Sequence, residues 1–380
     1  FGVDITSLQV LVDSGNGYNS VQLLAGQSQN AKTDPWLESI INLSAYSGNN
    51  GFGLRAKCLA GDLETVAALL ADCLQNPVFP EDEIEKQRTL QLAAILRQEE
   101  KPMFLAQRNL REAIFAGHPY RWDRLGTRDS VKQLAREQLQ EHHSRHLLTG
   151  NLVVSVFGDI TGQEARELTN RTFAAIPLGN LTATPNEGVQ ATLPTRIEQE
   201  EPRQQAIVLA GFPAVSLFDP RHDALNVLQT AMSGLSSDLA ISVRDKRGLA
   251  YFVGAYQHAG VDPGLFGIYA GTRRGAAKEV ETLYLEEIQR VTTEGLREEE
   301  LARAKNRIIA DHEMQLQNNM SVAMTCGLNE LYGLGYDYAY STADRINALT
   351  IESVRTAAAS VLRTDRMAVS LLLPEVKQAE

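Results

Sequence analysis

The sequence predicts an α+β protein built from two homologous domains, each a mixed or antiparallel sheet packed with several helices. Three observations carry that prediction: one passage is written twice, strand-like and helix-like patterns alternate within each copy, and an aperiodic stretch separates the copies. In the first copy Phe79-Pro80-Glu81-Asp82-Glu83 opens a long amphipathic stretch. Phe115 to Tyr120, the helix pattern Val131 to Leu134 and the strand-like Asn151 to Val156 follow it. In the second copy Leu296 to Glu300, Tyr332 to Tyr336, Ile346 to Leu349 and Met367 to Leu372 follow in the same order. The offset between matched positions stays near roughly 215 residues, as expected of a duplicated unit.

The elements of a copy can be read in order. Strand-like runs are expected at Val21 to Ala25, Phe52 to Cys58 and Leu152 to Phe157. Gly15-Asn16-Gly17 and Gly48-Asn49-Asn50-Gly51 read as hairpin connections. Asp62 stands where it would cap a helix whose apolar positions Leu63, Val66, Leu70, Cys73 and Leu74 recur at helical spacing, and Asn76-Pro77 ends it. Thr161 and Glu164 have the spacing of a capping box. Asp219-Pro220 places a cap and an N-terminal proline ahead of the helix Ala224 to Met232. Between the copies, Ile176 to Gln204 is rich in Pro, Thr, Asn and Glu and reads as a linker. The expected organisation is a first repeat over 1–178, a linker over 179–203 and a second repeat over 204–380.

Composition bounds the function. With 380 residues, 43% apolar and 22% charged, the chain has the make-up of a globular protein. Its net charge of −11 argues against nucleic acid as a partner, which would require a basic face. The three cysteines, Cys58, Cys73 and Cys326, lie in apolar surroundings and read as core thiols rather than a disulfide framework. No basic segment followed by an apolar run marks a signal peptide or membrane anchor, and the start at Phe1 reads as that of a fragment, so the compartment stays open.

The repeat also permits a subtraction. Leu24-Ala25-Gly26 and Phe52-Gly53 match Leu209-Ala210-Gly211 and Phe266-Gly267, but the segment between the first pair is shorter by about 29 residues, the length of a helix with its connections. What stands there, Asp34 to Ile41, has room for two helical turns.

The run Ala67 to Glu83, the Gly117-His118-Pro119-Tyr120 turn with Leu125-Gly126-Thr127, Arg244 to Tyr251, Asp262 to Gly267 and Asn329 to Gly335 together resemble the pitrilysin (insulinase-like) family of zinc metallopeptidases. The resemblance keeps the family's order over most of the chain and is greatest to the non-catalytic C-terminal half of bacterial tandem-repeat members. It implies a metallopeptidase LuxS/MPP-like fold, in which two such halves enclose an unfolded peptide. Catalysis there needs His-x-x-Glu-His on one helix and a Glu on a later one, which leave an open zinc position for the attacking water. No His-x-x-Glu-His occurs in this chain. The resemblance places the missing motif helix in the shortened segment, with Ala224 to Met232 as its counterpart in the second copy. It also puts Ala94 at the third-ligand position and Gln87 at a supporting one.

No metal is therefore expected in this chain, and zinc is expected in a homologous partner half, fused upstream or separate. Arg244 and Tyr251 are spaced like the family's substrate-contacting pair, an arginine for a substrate carbonyl and a tyrosine for the oxyanion. Without the resemblance, Arg244 and Arg247 read as surface charges and Tyr251 as a core aromatic. The expected function is that of a non-catalytic half that holds peptide for a zinc-bearing half. The alternative is a catalytically dead structural or assembly subunit.

Two further features are weighed. His142 and His146 stand one helical turn apart but have no Glu between them, and are expected on a solvated helix face. His118 reads as a turn and packing residue. Phe52 to Cys58 and Tyr251 to Tyr256 are candidate edge strands for peptide addition.

Overall fold

A computed structural model describes residues 5–13, 42–180, 193–234 and 237–375. The expected strand Val21 to Ala25, the turn Gly15 to Gly17 and the short helix Asp34 to Ile41 lie outside the described residues. The described residues form nine strands: β1 (Ile5–Asp13), β2 (Asn42–Ser47), β3 (Gly51–Leu59), β4 (Leu152–Phe157), β5 (Thr195–Glu201), β6 (Ala206–Pro213), β7 (Ala250–His258), β8 (Leu265–Thr272) and β9 (Ala368–Pro374). The first-copy helices are α1 (Leu63–Gln75), α2 (Glu81–Glu99), α3 (Pro102–Ile114), α4 (Arg128–Gln133), α5 (Arg136–His146) and α6 (Gly162–Thr172). Those of the second are α7 (His222–Ala231), α8 (Ala277–Thr293), α9 (Glu298–Leu316), α10 (Asn319–Leu331), α11 (Thr342–Ala348) and α12 (Ile351–Val361).

The duplication is visible in element lengths and in strand order. α2 and α9 both have 19 residues, α3 and α10 have 13, and α5 and α12 have 11. The first sheet runs β2-β3-β1-β4 and the second β7-β8-β6-β9, with β5 added beyond β9. All pairings are antiparallel except β5 with β9, which is parallel. β5 corrects the linker reading. Thr195–Glu201 alternates half-buried and exposed residues and pairs in register with Ala368–Pro374, so a stretch too polar to look like a strand is held as a sheet edge.

The two compact units do not follow the chain order. One comprises Phe1–Ile95, Arg124–Pro185 and His312–Ser341; the other Leu96–Asp123, Asn186–Asp311 and Thr342–Glu380. The division falls within α2 and within α9, so each of these helices begins in one unit and ends in the other. As a result α3, from the first copy, packs on β6 and β9, while α10, from the second, packs on the equivalent β1 and β4.

Each unit has its own core. In the first, α1 lays Leu63, Val66, Ala67, Leu70 and Leu74 against Phe52, Leu54 and Ala56 of β3, at about 1.5–3 kcal/mol for each large side chain buried. In the second, β6 (Val208, Ala210, Phe212) and β8 (Phe266, Ile268, Ala270) pack on α7, α8 and α12 through Leu225, Leu228, Val280, Tyr284 and Val354. Cys58, Cys73 and Cys326 are buried, as expected.

Several local expectations are met and several are revised. The Thr161 capping box is present, and Gly48 donates to Gly51 across the β2–β3 hairpin at 2.7 Å. Asp62 precedes α1 but its side chain makes no cap bond. α7 begins at His222, because Asp219 accepts from the backbone N–H and the guanidinium of Arg221 and so holds the approach to the helix.

The histidines of α5 are not solvated. His142, His143 and His146 are all buried, His142 and His146 with ring centroids 4.1 Å apart and both against Phe52, His143 against Phe79. Burial, with the neighbouring His146, Arg145 and His143, pushes His142 down to about 4, so its ring packs neutral near pH 7. His118 is a turn residue, as expected: its Nδ1 accepts from the Tyr120 backbone and its Nε2 lies 3.3 Å from Asp262, linking two loops of one unit.

β3 is not an edge. It is flanked by β2 and β1, and of the two candidate edge strands only β7 is terminal in its sheet among the described residues.

Candidate functional site

Arg244 lies on a tied turn that leads into β7, and Tyr251 stands at the start of β7 itself. Ser237 accepts from the Ala240 N–H at 3.1 Å and donates to the Gly234 carbonyl at 2.8 Å, starting the helical turn Asp238–Ala240. The chain then widens into a π-type turn over Ile241–Asp245, closed by Lys246 N–H to Ile241 O at 2.9 Å. Gly248, at φ +60, permits the left-handed reversal that ends it. Gly248 N–H bonds to Arg244 O and Leu249 N–H to Val243 O, both at 2.9 Å, which draws the two ends of the turn together. Leu239, Ala240, Val243, Leu249 and Ala250 are buried beneath it, and Thr272 donates from its hydroxyl to the Leu249 carbonyl.

An ion network fastens the base of this turn. Asp238 takes both guanidinium nitrogens of Arg297, one at 2.5 Å, and lies 3.9 Å from Arg290. Arg290 in turn chelates Glu287 at 2.7 and 2.9 Å and Glu300 at 3.1 Å through both of its terminal nitrogens. Glu300, only 2% exposed, also accepts from the Arg297 backbone N–H at 2.8 Å at the start of α9. The hydrogen bonds to Glu287, and then to Glu300, raise Arg290 above its ordinary value.

Against this scaffold the two predicted residues face outward. Arg244 is exposed, and among the described residues its guanidinium has no acceptor. Tyr251 is 65% exposed, which rules out the core-aromatic reading. A β-bulge explains it: Ala250 pairs with Thr272 and Phe252 with Gly271, so Tyr251 is the extra residue and its side chain is turned out of the ladder. Two uncommitted donors, one charged and one phenolic, thus stand on a backbone that is held at both ends. Such a pair can donate to a carbonyl or to a developing oxyanion.

The described positions that the resemblance aligns with zinc ligands carry no ligand side chain, and the first-copy segment expected to hold the motif helix lies outside the described residues. α7 turns Ala224, Leu225, Val227, Leu228 and Ala231 into the core and carries no ligand side chain there. Ala94 and Gln87 lie half-buried on α2. Among the described residues no group of three or more His, Cys, Asp or Glu side chains is placed to hold an ion. No described helix is long and apolar enough to cross a membrane.

Sequence reasoning missed the bulge and the Asp238–Arg297–Glu300–Arg290 network. Glu300, at the third position of a helix after Arg297, has the spacing by which a carboxylate returns to the helix start, and that signal was available.

Residues 133–308 match the description "Peptidase M16 inactive domain" and residues 37–128 match "Insulinase (Peptidase family M16)". An uncharacterized zinc protease of Streptomyces coelicolor is 28% identical over 332 residues, covering 84% of this chain and 71% of that protein. The crystal structure of a peptidase M16 inactive domain from Pseudomonas fluorescens has a TM-score of 0.87 at 22% identity, over 100% of this chain and 95% of that one. A chain of complex III from Candida albicans has a TM-score of 0.82 at 17% identity, over 98% and 91%. The chain belongs to the M16 family of pitrilysin and insulinase-like peptidases.

Proposed function

We propose that this chain is the non-catalytic half of an M16 zinc endopeptidase, holding extended peptide for hydrolysis by a zinc-bearing homologous half, fused or separate. The observation that carries this reading is the pair of uncommitted donors, Arg244 and Tyr251, on a backbone immobilised from both sides. Exposed donors on a rigid mount lose little entropy when they engage a ligand. Zinc belongs to the partner half, where it would activate the attacking water. Arg244 would hold a substrate carbonyl and Tyr251 would donate to the oxyanion.

The test is reconstitution with a zinc-bearing M16 chain from the same organism. The isolated chain is expected to bind no stoichiometric zinc and to cleave nothing. The combined halves should cleave an unfolded peptide, and Arg244→Ala or Tyr251→Phe should lower that turnover while leaving assembly intact. Cleavage or stoichiometric zinc in the isolated chain refutes the reading.

A second reading, a catalytically dead structural or assembly subunit, draws support from the fold shared with a complex III chain. Unchanged turnover in both variants would favour it.

A further inference from the structure

Among the described residues β7 ends its sheet, and an end strand ordinarily offers alternate backbone groups to an added strand. Here one of those sites is filled from within the chain. Ser233, just beyond α7, donates from its hydroxyl to the Ala255 carbonyl at 2.9 Å and accepts from the Ala255 N–H at 3.1 Å. Gln229, in the last turns of α7, donates to the same carbonyl at 3.0 Å and to the Ser233 hydroxyl at 3.1 Å. The valences close: the hydroxyl uses its one proton on Ala255 O, and the amide uses its two on Ala255 O and Ser233 Oγ. The Ala255 N–H and carbonyl bond to Ser233 and Gln229, and these side chains therefore stand where an incoming strand would bond.

We infer that Gln229 and Ser233 act as a built-in strand mimic that seals the β7 edge at Ala255, confining peptide in this unit to the bulged end, from Arg244 to Val253. The inference rests on the peptide-holding reading above for what is excluded, but the seal itself does not. It narrows the expectation that Tyr251 to Tyr256 takes peptide as an edge strand. A peptide following β7 past Val253 would have to displace three hydrogen bonds at one residue, whereas at the bulge it meets Arg244, Tyr251 and the 36% exposed ring of Phe252. The seal also protects the chain from edge-to-edge pairing with other strands.

Hydrogen exchange at single-residue resolution tests this in two steps. Without peptide, Ser233→Ala and the double variant Gln229→Ala/Ser233→Ala should speed exchange of the Ala255 amide by about tenfold or more, with Gly254 and Tyr256 little changed. The single variant keeps the test valid if the double one folds poorly, and an unchanged Ala255 rate overturns the seal. With reduced, carboxymethylated α-lactalbumin as an unfolded probe, the wild-type chain should gain protection only up to Val253, and the double variant through Ala255 and Gln257. Probe-induced protection at Gln257 in the wild type overturns the confinement. Should the probe bind neither protein, the peptide-holding reading fails, and the first measurement alone upholds or overturns the seal.

Discussion

Replacing Glu300 by Ala tests whether the ion network sets the geometry of the Arg244 turn. The carboxylate receives Arg290 at 3.1 Å on each oxygen and the Arg297 N–H at 2.8 Å, and it is almost fully buried. Removing one member of a buried pair costs about 3–5 kcal/mol when the partner is left alone. Arg290 is not left alone, since Glu287 still chelates it at 2.7 and 2.9 Å, which moves the loss to about 2–3 kcal/mol for the pair. The lost acceptor at the start of α9 adds about 1 kcal/mol. The total, about 3–4 kcal/mol, corresponds to a fall in Tm on the order of 6–16 °C for a unit of this size. Arg297 loses one of its two anchors and holds Asp238 less firmly, so the loss should also reach the turn. Calorimetry of wild type, Glu300→Ala, Arg290→Met and the double variant measures the coupling, and amide exchange at Ala240 and Ile241 reports the turn. A loss below about 1 kcal/mol, or additive single effects, refutes the network argument. Full destabilisation without faster exchange at Ala240 refutes its link to Arg244.

Three further outcomes are expected. Arg244→Ala and Tyr251→Phe should each leave urea stability within about 0.5 kcal/mol, as for surface positions, while Tyr251→Phe lowers turnover of the reconstituted enzyme by about 10²–10³ if its hydroxyl serves the oxyanion. His142 is depressed in the folded state to about 4 from the model-peptide value near 6.5, chiefly by burial, so the unfolded chain binds more protons between those values. Stability should therefore fall as pH drops from about 6.5 towards 4, on the order of 3 kcal/mol from this residue, and the wild type should lose more than His142→Leu in urea titrations at pH 7.5 and 5. A Cβ at Gly267 would stand 2.2 Å from the Tyr256 ring across the β7–β8 ladder, so Gly267→Ala should cost about 1–3 kcal/mol by overpacking, read from the thermal midpoint.

Periodicity and punctuation made much of the fold legible. α1, α2, α6, β3, β4 and β9 lie where apolar spacing and caps placed them, because these signals act over a few residues of chain. β5 was hidden because its polar Glu-rich alternation is stable only as the outer neighbour of β9. The α5 histidines misled for a similar reason. A helix with a mean polar character reads as solvated, yet Phe52 and Phe79 cover three of its imidazoles. In the site, the spacing of Arg244 and Tyr251 was visible, but the bulge that exposes Tyr251 depends on register with Thr272 and Gly271.

By itself the sequence determined the duplication, the α+β class, the family resemblance and the absence of His-x-x-Glu-His, because each is a property of local pattern or of residue identity. Only the tertiary structure decided that α3 and α10 each pack on the other repeat's sheet, that Arg244 and Tyr251 are free donors on a braced turn, and that Ser233 and Gln229 fill the β7 edge. These are pairings between segments far apart in the chain. The same local pattern is compatible with many such partners, and packing and hydrogen-bond completion select one.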